Sequence, residues 1–586
     1  MVKNFSQRRQ LVLEHFAREG NEKFIQAQCL FALGKNQEGI RVVNQGLDAL
    51  VPGNKINRWM HGGNTGFIAW PGIECYVRYQ QQMDAPTRER YRKIYTGGVF
   101  YAKLSTSNHK IMAAVSSYLA TQCWGAEAFQ ADPWFMQNDP YIQEMTAKSR
   151  HKGRVWGSRF GHDDETGEKY LREIITATCR VGPGEYASRP YGAQNVLPLL
   201  TIADCAKDAK LAAQARVAYE ISLAQIAPAW MAGHIATFAP RSYPDTESQR
   251  PWGFATLPWL YFGGVTPELR GAKAAAAAAV SRYQIPQEIV EAATERGRPY
   301  EYRALINGWA LNHFMQGSYA LFSRSAKVGG KPWGGQSYPC GVMWQEPRHD
   351  RGSHLWITNP AADEPGKMGL HTHGVRPFEQ EVLARDALMY VFQIQEDNPF
   401  PYALGYIPGG YRASLNDGRK HHSLFFHYGS VLIAVRASHP IEWHPEQGIR
   451  APASPARPGD SEFRLREKRC AIVIETASPI EFPAANEKAC LQQFRDLILA
   501  QPHPGLVTEP QTAATYRTRH NTTLRCTFDG EDAIDGKKID YSQWPVSSSP
   551  WTRQNSVKDS LVIEGKQSVR TYPLDGSAPV VRKKSP

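Results

Sequence analysis

Several features are absent from this 586-residue sequence, and each absence excludes a class of protein. The nine cysteines never occur as Cys-x-x-Cys, so neither a zinc cluster nor a disulfide framework is indicated. No apolar run reaches the ~18 residues that a membrane-spanning helix needs, and we therefore expect no membrane partner. No run rich in lysine and arginine occurs beyond the tail Arg582-Lys583-Lys584, which argues against a dedicated nucleic-acid-binding arm.

The first ten residues contain basic side chains, but no apolar segment follows them. A secretory signal peptide needs such a segment, so none is predicted. The chain as written is expected to be cytoplasmic, or secreted or periplasmic if a leader has been removed. These alternatives stay open at the level of the sequence, as does the oligomeric state.

The composition is that of a globular protein with an excess of positive charge. Hydrophobic residues make up 42% and charged residues 21% of the chain, which are ordinary proportions. A chain of 586 residues is too long for one core, so two or more domains are expected. The formal net charge of +12 favours a polyanionic partner, either nucleic acid, an acidic polysaccharide or an anionic surface.

Residues 6–325 show mainly the apolar spacing of helices. For example, Ile40, Val43 and Leu47 recur at helical intervals. We predict about ten to fourteen helices, joined mostly by short loops. The predicted segments are 24–33, 37–50, 67–82, 85–104, 110–125, 168–179, 195–205, 211–227, 272–283 and 301–323.

Paired helices of this kind form either an open solenoid or a closed α/α toroid. No constant period of about 34 residues with a repeated signature is present, so a repeat array is disfavoured. Long irregular stretches such as residues 126–167 suit a toroid whose loops build a cleft. The predicted first domain is therefore an incomplete α/α toroid of about six or seven helix pairs over residues 1–325.

The sequence pattern changes near Val328. The glycine-rich segment 329–335 predicts a crossing between domains. Beyond it, short β-branched and alternating segments are bounded by Gly, Pro, Asn and Asp clusters, which is typical of an antiparallel β-sandwich. We therefore predict a second domain over residues 326–586 and an α+β multidomain fold. The predicted strands include 341–344, 423–428, 430–435, 470–474 and 560–563.

Histidine and acidic clusters raise the question of a metal ion. His371-Thr372-His373 and the group His421, His422 and His427 fall in the predicted β domain, and residues 162–165 are His-Asp-Asp-Glu. None of these clusters has a further ligand at a recognised spacing. We expect no metal ion and no other cofactor, and we interpret residues 162–165 as a solvated loop.

The stretch from Gly184 to Tyr243 carries two polar loops separated by two predicted helices, 195–205 and 211–227. Two such helices would form a hairpin and return the chain to its starting end. The loop before the hairpin and the loop after it should therefore lie at the same end of the helix pair. We expect them to form one site.

The first loop offers Glu185, Ser188 and Tyr191, which supply a carboxylate, a hydroxyl and a phenol between glycines. A glutamate in a loop is more often solvated than catalytic, but this setting favours a function.

Asn108 and His109 precede another predicted helix. Asn108 is expected to cap that helix, and the functional alternative places its amide and the His109 imidazole against a carboxylate.

The second loop contains Arg241 and Tyr243. Abstracting a proton next to a carboxylate requires a base, and a phenol of pKa about 10 is hardly ionised at neutral pH. A nearby cation favours the phenolate, and the same phenol can then protonate a leaving oxygen. His234 is an alternative base or a positioning residue, and an ordinary ion pair is the structural alternative for Arg241.

These motifs resemble those of the α/α-toroid polysaccharide lyases, most of all polysaccharide lyase family 38, which acts on alginate and glucuronan. The resemblance covers about residues 55–325 and lies in the motifs alone. It implies that the partner is an acidic polysaccharide, cleaved by β-elimination without a metal ion. The motifs are Asn108-His109, Glu185-x-x-Ser188-x-x-Tyr191 and Arg241-Ser242-Tyr243.

The resemblance implies a role for each predicted catalytic residue. Tyr243 would act as base and acid, and Arg241 would activate it or hold the substrate. Asn108, His109 and Glu185 would surround the uronate carboxylate. The predicted substrate-binding residues are Tyr191, Ser188, His234, Trp252 and Asn195.

The chain departs from the resemblance at Gly192. Relatives in that family often carry a histidine directly after the loop tyrosine, and this chain has glycine there. If that histidine matters, its role falls to His109 or His234, or the substrate differs.

Two other classes of function stay open. A glycoside hydrolase on the same toroid needs two carboxylates roughly 5–9.5 Å apart, which Glu185 and one of Asp163, Asp164 or Asp245 would supply. A non-catalytic carbohydrate-binding or scaffold protein would bind a polyanion without turnover. Core packing is the default expectation for four tryptophans, with one or two of them as candidates to line sugar subsites: Trp252, Trp259, Trp309 and Trp333.

Overall fold

The computed structural model describes residues 4–50, 66–96, 106–125, 167–239, 253–328, 340–345, 352–359, 378–418, 421–444 and 460–585. Within these ranges, helices dominate the chain up to residue 294 and antiparallel strands dominate from residue 300 onwards. The predicted α+β layout in two parts is confirmed. The helices are α1 Phe5–Glu19, α2 Lys23–Ala32, α3 Asn36–Leu50, α4 Gly66–Tyr79, α5 Ala85–Thr96, α6 Ser107–Trp124, α7 Glu168–Val181, α8 Gly192–Cys205, α9 Ala209–Ile226, α10 Thr256–Phe262, α11 Lys273–Ala279, α12 Gln287–Thr294 and, in the strand-rich half, α13 Glu487–Leu499.

The start of helix α1 is set by its local sequence. The Asn4 side chain accepts a hydrogen bond from the Gln7 backbone N–H at 2.9 Å, as part of a capping box. Such a cap satisfies backbone donors that a helix start leaves open. Val12, Leu13 and Phe16 follow at helical spacing and are buried, so one face of α1 packs into the core.

Helices α8 and α9 form the predicted pair, within a few residues of the expected bounds. Most positions of both are buried, as expected for helices without a continuous polar face. The Asp208 carboxylate caps α9 by accepting hydrogen bonds from the backbone N–H groups of Lys210 and Leu211. The Asp208 side chain therefore sets the residue at which α9 begins.

The predicted helix at 301–323 is wrong. These residues lie in three antiparallel strands joined by tight turns. Asn307 and Gly308 both have positive φ angles, 52° and 78°, as the two-residue turn of a hairpin requires. Strand structure therefore begins well before the predicted domain boundary at residue 325. The three strands are β3 Tyr300–Ile306, β4 Trp309–Met315 and β5 Tyr319–Ser325.

The remaining strands of the described ranges are β1 Trp230–Met231, β2 His234–Ile235, β6 Gly341–Gln345, β7 Gly352–Thr358, β8 Glu379–Ala384, β9 Ala387–Gln393, β10 Ala403–Ile407, β11 Ala413–Asn416, β12 Ser423–His427, β13 Leu432–Ala437, β14 Glu442–His444, β15 Ser461–Leu465, β16 Arg469–Ala477, β17 Gly505–Val507, β18 Ala513–Arg517, β19 Thr523–Thr527, β20 Ala533–Ile534, β21 Lys537–Lys538, β22 Ser547–Ser548, β23 Thr552–Gln554, β24 Leu561–Glu564, β25 Ser568–Tyr572 and β26 Val580–Lys583.

The strands of these ranges form sheets of 13, six and five strands, together with a two-stranded ribbon of β1 and β2. The largest sheet has the order β14-β15-β10-β7-β6-β5-β4-β3-β22-β23-β24-β25-β26. The other two have the orders β11-β12-β13-β16-β9-β8 and β17-β18-β19-β20-β21.

The largest sheet is buried on both faces at its centre, in strands β4 to β6. Tyr302 of β3 and Leu311 of β4 pack into the core formed by the helices. Leu321 of β5 and Val342 of β6 pack into a second core, shared with Ile472 of the six-stranded sheet. The helices, the largest sheet and the six-stranded sheet are therefore three successive layers.

The last strands return the chain to the helices. The Tyr572 hydroxyl of β25 donates a hydrogen bond to Glu220 Oε2 of α9 at 2.6 Å. Glu288 of α12 accepts hydrogen bonds from the Ser568 hydroxyl at 2.5 Å and from Arg570 Nε at 3.2 Å. These contacts join the end of the sheet to two helices.

We expect Tyr572→Phe to lower the free energy of unfolding by about 1–3 kcal/mol, because the buried Glu220 carboxylate loses a donor. Chemical denaturation measures the effect. Arg582→Gln, on the exposed strand β26, is the control and should change stability by less than about 0.5 kcal/mol. Equal stabilities of Tyr572→Phe and the wild type would contradict this role.

Candidate functional site

The loop before α8 is bonded to the segment after α9, so the helix pair does return the chain to its starting end. Arg189 of that loop is 3% exposed. Its Nη2 donates a hydrogen bond to the Ile235 carbonyl at 2.6 Å, and the Phe254 N–H donates to the Arg189 carbonyl at 2.8 Å. The segment after α9 is described as far as Ala239.

The loop before α8 has a strained backbone. Glu185 and Ala187 have positive φ angles of 48° and 53°, which cost roughly 1–2 kcal/mol each for residues other than glycine. Glu185 is 2% exposed, and its Oε2 accepts a hydrogen bond from Asn195 Nδ2 at 3.1 Å. The buried Ser188 Oγ accepts a hydrogen bond from the Tyr191 N–H at 3.3 Å. Backbone strain of this kind is concentrated at functional sites.

Asn108 does not cap its helix, so that prediction is wrong. Helix α6 begins at Ser107, and Thr106 occupies the N-cap position. The Thr106 hydroxyl donates a hydrogen bond to Asn108 Oδ1. Asn108 is fully buried, and its Nδ2 finds no acceptor in the described part of the chain. A buried donor without an acceptor is costly, so this amide is suited to binding an acceptor group of a ligand.

The start of helix α6 lies against the loop that precedes α8. A Cβ added at Gly184 would lie 2.8 Å from Ser107 Oγ and 3.5 Å from Asn195 Oδ1. A side chain at Gly184 would therefore displace Ser107 where these three segments meet. His109 is half-buried, and its ring meets Phe67 edge-on with the ring centres 5.5 Å apart.

His234 lies on β2 and is 6% exposed. Burial, and then the positive charge of Arg189, lower the pKa of His234 to about 4. The imidazole is therefore neutral at pH 7. It supplies no positive charge for a carboxylate and is a weak base.

Several predicted residues lie outside the described ranges, and their roles stay predictions. Among them are two predicted catalytic residues and one predicted substrate-binding residue. The carboxylates proposed as partners of Glu185 in a hydrolase are also among them. The residues concerned are Arg241, Tyr243, Trp252, Trp333, Asp163, Asp164, Asp245, His371 and His373 and the cluster 162–165.

The described ranges contain no group of three or more His, Cys, Asp or Glu side chains arranged to hold a metal ion. His427 instead accepts a hydrogen bond from the Gly429 N–H at 3.0 Å.

All nine cysteines are unpaired, and all but Cys123 are buried. Trp259 and Trp309 are buried in the core. No helix in the described ranges is long and apolar enough to cross a bilayer.

Arg189 and His313 hold the segment after the hairpin in place, and neither was predicted to do so. His313 of β4 is fully buried, with Nδ1 3.0 Å from the Tyr302 carbonyl and Nε2 2.7 Å from Thr237 Oγ1. Because a carbonyl only accepts, Nδ1 carries the proton and the Thr237 hydroxyl donates to Nε2. His313 thus ties the segment after the hairpin to the largest sheet. Had β4 been predicted as a strand, its alternation would have placed His313 on the sheet face that packs against the helices.

No family model and no curated protein matches this sequence. The function of the site therefore has to be inferred from its own residues.

Gly192, at the start of α8, lies against the Phe254 ring. A Cβ at this position would lie 2.5 Å from Phe254 Cδ1, so a larger residue cannot be accommodated unless the ring moves. We expect Gly192→Ala to lower the free energy of unfolding by about 1–3 kcal/mol. Gly297→Ala, where nothing lies within 4 Å of the added Cβ, is the matched control. If denaturation gave both variants the same stability, the packing account would be wrong.

His313 makes stability depend on pH. Burial lowers the pKa of His313 to about 4, against about 6.5 in an unfolded chain. Between these values the unfolded state binds the extra proton. The stability contributed by neutral His313 is therefore present above about pH 6.5 and lost as the pH falls towards about 4.

His313→Gln should remove this dependence while keeping one donor and one acceptor. We compare the free energy of unfolding of the variant with that of the wild type. Between about pH 7.5 and about pH 5, this difference should shift by about 2 kcal/mol in favour of the variant. Denaturation at both pH values measures the difference. Burial raises the pKa values of Glu379 and Glu475 to about 7. Both glutamates are present in the wild type and in the variant, so their contributions cancel in the stability difference. A difference independent of pH would refute the linkage.

Proposed function

We propose that this protein is a polysaccharide lyase that cleaves a uronic-acid polysaccharide, such as glucuronan or alginate, by β-elimination. The observation that carries the proposal is the hydrogen bond from Arg189 to Ile235. It fixes the loop of Glu185 beside the segment that leads to Arg241 and Tyr243. The start of α6, with the buried amide of Asn108, lies against the same loop.

The chemistry of elimination requires donors around a carboxylate. A base removes the proton at C5 of a uronate, the C4–O bond breaks, and a double bond forms between C4 and C5. Negative charge develops on the carboxylate oxygens, so donors aimed at them lower the barrier. The Asn108 Nδ2, with His109 at the next position, is suited to that task.

Tyr243 is proposed to take the C5 proton as a phenolate and to return it to the leaving oxygen. Arg241 would favour the ionised phenol through its positive charge. His234 would contribute hydrogen bonding, since burial and Arg189 keep it neutral at pH 7. Glu185, bonded to Asn195, would hold the strained loop in place.

We also propose that the helices close into an α/α toroid. Arg8 of α1 donates hydrogen bonds to the carbonyls of Leu260 and Tyr261 in α10 at 2.8 and 2.9 Å. Arg9 donates to the Ala279 carbonyl at the end of α11 at 2.7 Å. Bonds from the first helix to two late helices support a closed ring over an open solenoid.

The decisive experiment replaces the proposed base. The wild type is incubated separately with glucuronan, alginate and a glycosaminoglycan, and the ultraviolet absorbance of an unsaturated uronyl end is followed. We expect a rising absorbance on one of them, and a loss of about 10²–10⁴-fold in kcat for Tyr243→Phe. Unfolding curves should show that this variant is folded.

Each other outcome of this experiment has a clear meaning. Full activity of folded Tyr243→Phe would refute its role as base. New reducing ends without absorbance would identify a glycoside hydrolase. Binding of a polyanion without new ends would identify a non-catalytic protein.

Asn108→Asp tests the neutralisation of the carboxylate. The change keeps the shape of the side chain but replaces its donor with a group that repels a carboxylate. We expect kcat/KM to fall by about 10²–10³-fold. Asn521→Asp, at an exposed turn, is the control and should keep wild-type activity. Retained activity in a folded Asn108→Asp variant would exclude this role.

A further inference from the structure

A buried arginine lies between the helices and the largest sheet. Arg324, near the end of β5, is 4% exposed. Its guanidinium carbon lies 5.1 Å from the ring centre of Phe238 and 5.7 Å from that of Trp309. Arg324 also forms ion pairs with Glu379 and Glu381 of β8. Two rings and two carboxylates therefore fix the orientation of the guanidinium.

Two donors in this cluster lack acceptors. Arg324 Nη1 and Trp309 Nε1 are buried, and neither has a hydrogen-bond partner within the described ranges. Each such donor costs about 1–3 kcal/mol, so two of them in one cluster favour an acceptor from a bound molecule. Trp259 and Trp344 also have unpaired buried indole N–H groups. Trp309 differs from these because the Arg324 guanidinium lies over its ring.

The cluster borders the segment that leads to the proposed base. Phe238, stacked on Arg324, precedes Tyr243 by five positions in the sequence. On the other side, Glu379 Oε2 accepts hydrogen bonds from the Thr358 hydroxyl at 2.8 Å and from the Asn359 N–H at 2.9 Å. Glu379 is thus held by other partners, and Arg324 Nη1 stays available to an additional acceptor.

We propose that Arg324 and Trp309 bind a carboxylate of the substrate, on a sugar residue next to the one that reacts. The substrate class, an acidic sugar, rests on the proposed function. A guanidinium and a neighbouring N–H are well matched to the two oxygens of a carboxylate. The largest sheet would then recognise the polymer together with the helices.

The two glutamates make carboxylate binding depend on pH. Burial raises the pKa of Glu379 to about 7 and also raises that of Glu381, while Arg324 opposes both shifts. Cys340 stays a thiol because burial, and then the negative charge of Glu381, raise its pKa. A further carboxylate beside Arg324 favours the protonated form of Glu379. Binding should therefore take up a proton and weaken as the pH rises above about 7.

Isothermal titration calorimetry of the intact protein tests this subsite without turnover. We expect D-glucuronate and short glucuronate oligosaccharides to bind, and D-glucose, which lacks the carboxylate, not to bind. Acetate, a carboxylate without the sugar, should bind more weakly than D-glucuronate. Affinity for D-glucuronate should fall about tenfold from about pH 6 to about pH 8, with proton uptake seen as a dependence of the heat on the buffer.

Variants separate the two donors from general packing. Trp309→Phe removes the indole N–H but keeps a ring beside Arg324, and should weaken D-glucuronate binding about fivefold. Arg324→Lys keeps the charge but loses the planar fork, and should weaken it about tenfold or more. The matched control is Trp344→Phe, which removes an equally unpaired indole N–H from the core on the other face of the sheet. It should bind like the wild type.

Unchanged affinity in folded Trp309→Phe and Arg324→Lys, or an equal loss in Trp344→Phe, would overturn the subsite. So would a wild type that cleaves a polyuronate but binds neither D-glucuronate nor its oligosaccharides, and that result leaves the lyase proposal standing. Conversely, carboxylate binding that is lost in both variants, in a protein that cleaves no polyuronate, would reject the lyase and keep the subsite.

Discussion

The arrangement around the site depends on one hydrogen bond between two loops that are distant in sequence. The buried guanidinium of Arg189 donates to the Ile235 carbonyl and closes the helix pair. A buried charge is tolerated only when its partners stay in place. The same guanidinium adds to burial in keeping His234 neutral. The strained loop of Glu185, the closure of the pair and the charge state of His234 are therefore parts of one arrangement.

A second set of buried polar contacts joins this arrangement to the largest sheet. Thr237 bonds to His313 of β4, and the adjacent Phe238 stacks on Arg324 of β5. The rest of that sheet face is mostly apolar where it meets the helices. The polar contacts are thus concentrated at the segment that leads to Arg241. In the proposed lyase, a sugar bound there would be recognised by both halves of the protein.

Sequence alone predicted the elements with a strong local signal. Helices α8 and α9 were predicted correctly because both are apolar along most of their length. The loop that contains Glu185 was placed correctly because glycines bound it. The strands β3–β5 were missed because their apolar content resembled helical spacing, although Asn307-Gly308 is a strong hairpin signal. Arg189 and Ile235 lie 46 positions apart, and His313 and Thr237 lie 76 apart. No local pattern reveals contacts of that kind, since they follow from tertiary packing.

The central claim is that the closed helix pair builds one sugar-binding site. A crystal structure of Tyr243→Phe with a bound glucuronate oligosaccharide tests it most directly. The account predicts a uronate carboxylate within hydrogen-bond distance of Asn108 Nδ2, beside the loop that contains Glu185. An oligosaccharide that binds elsewhere and touches neither Asn108 nor this loop would contradict it.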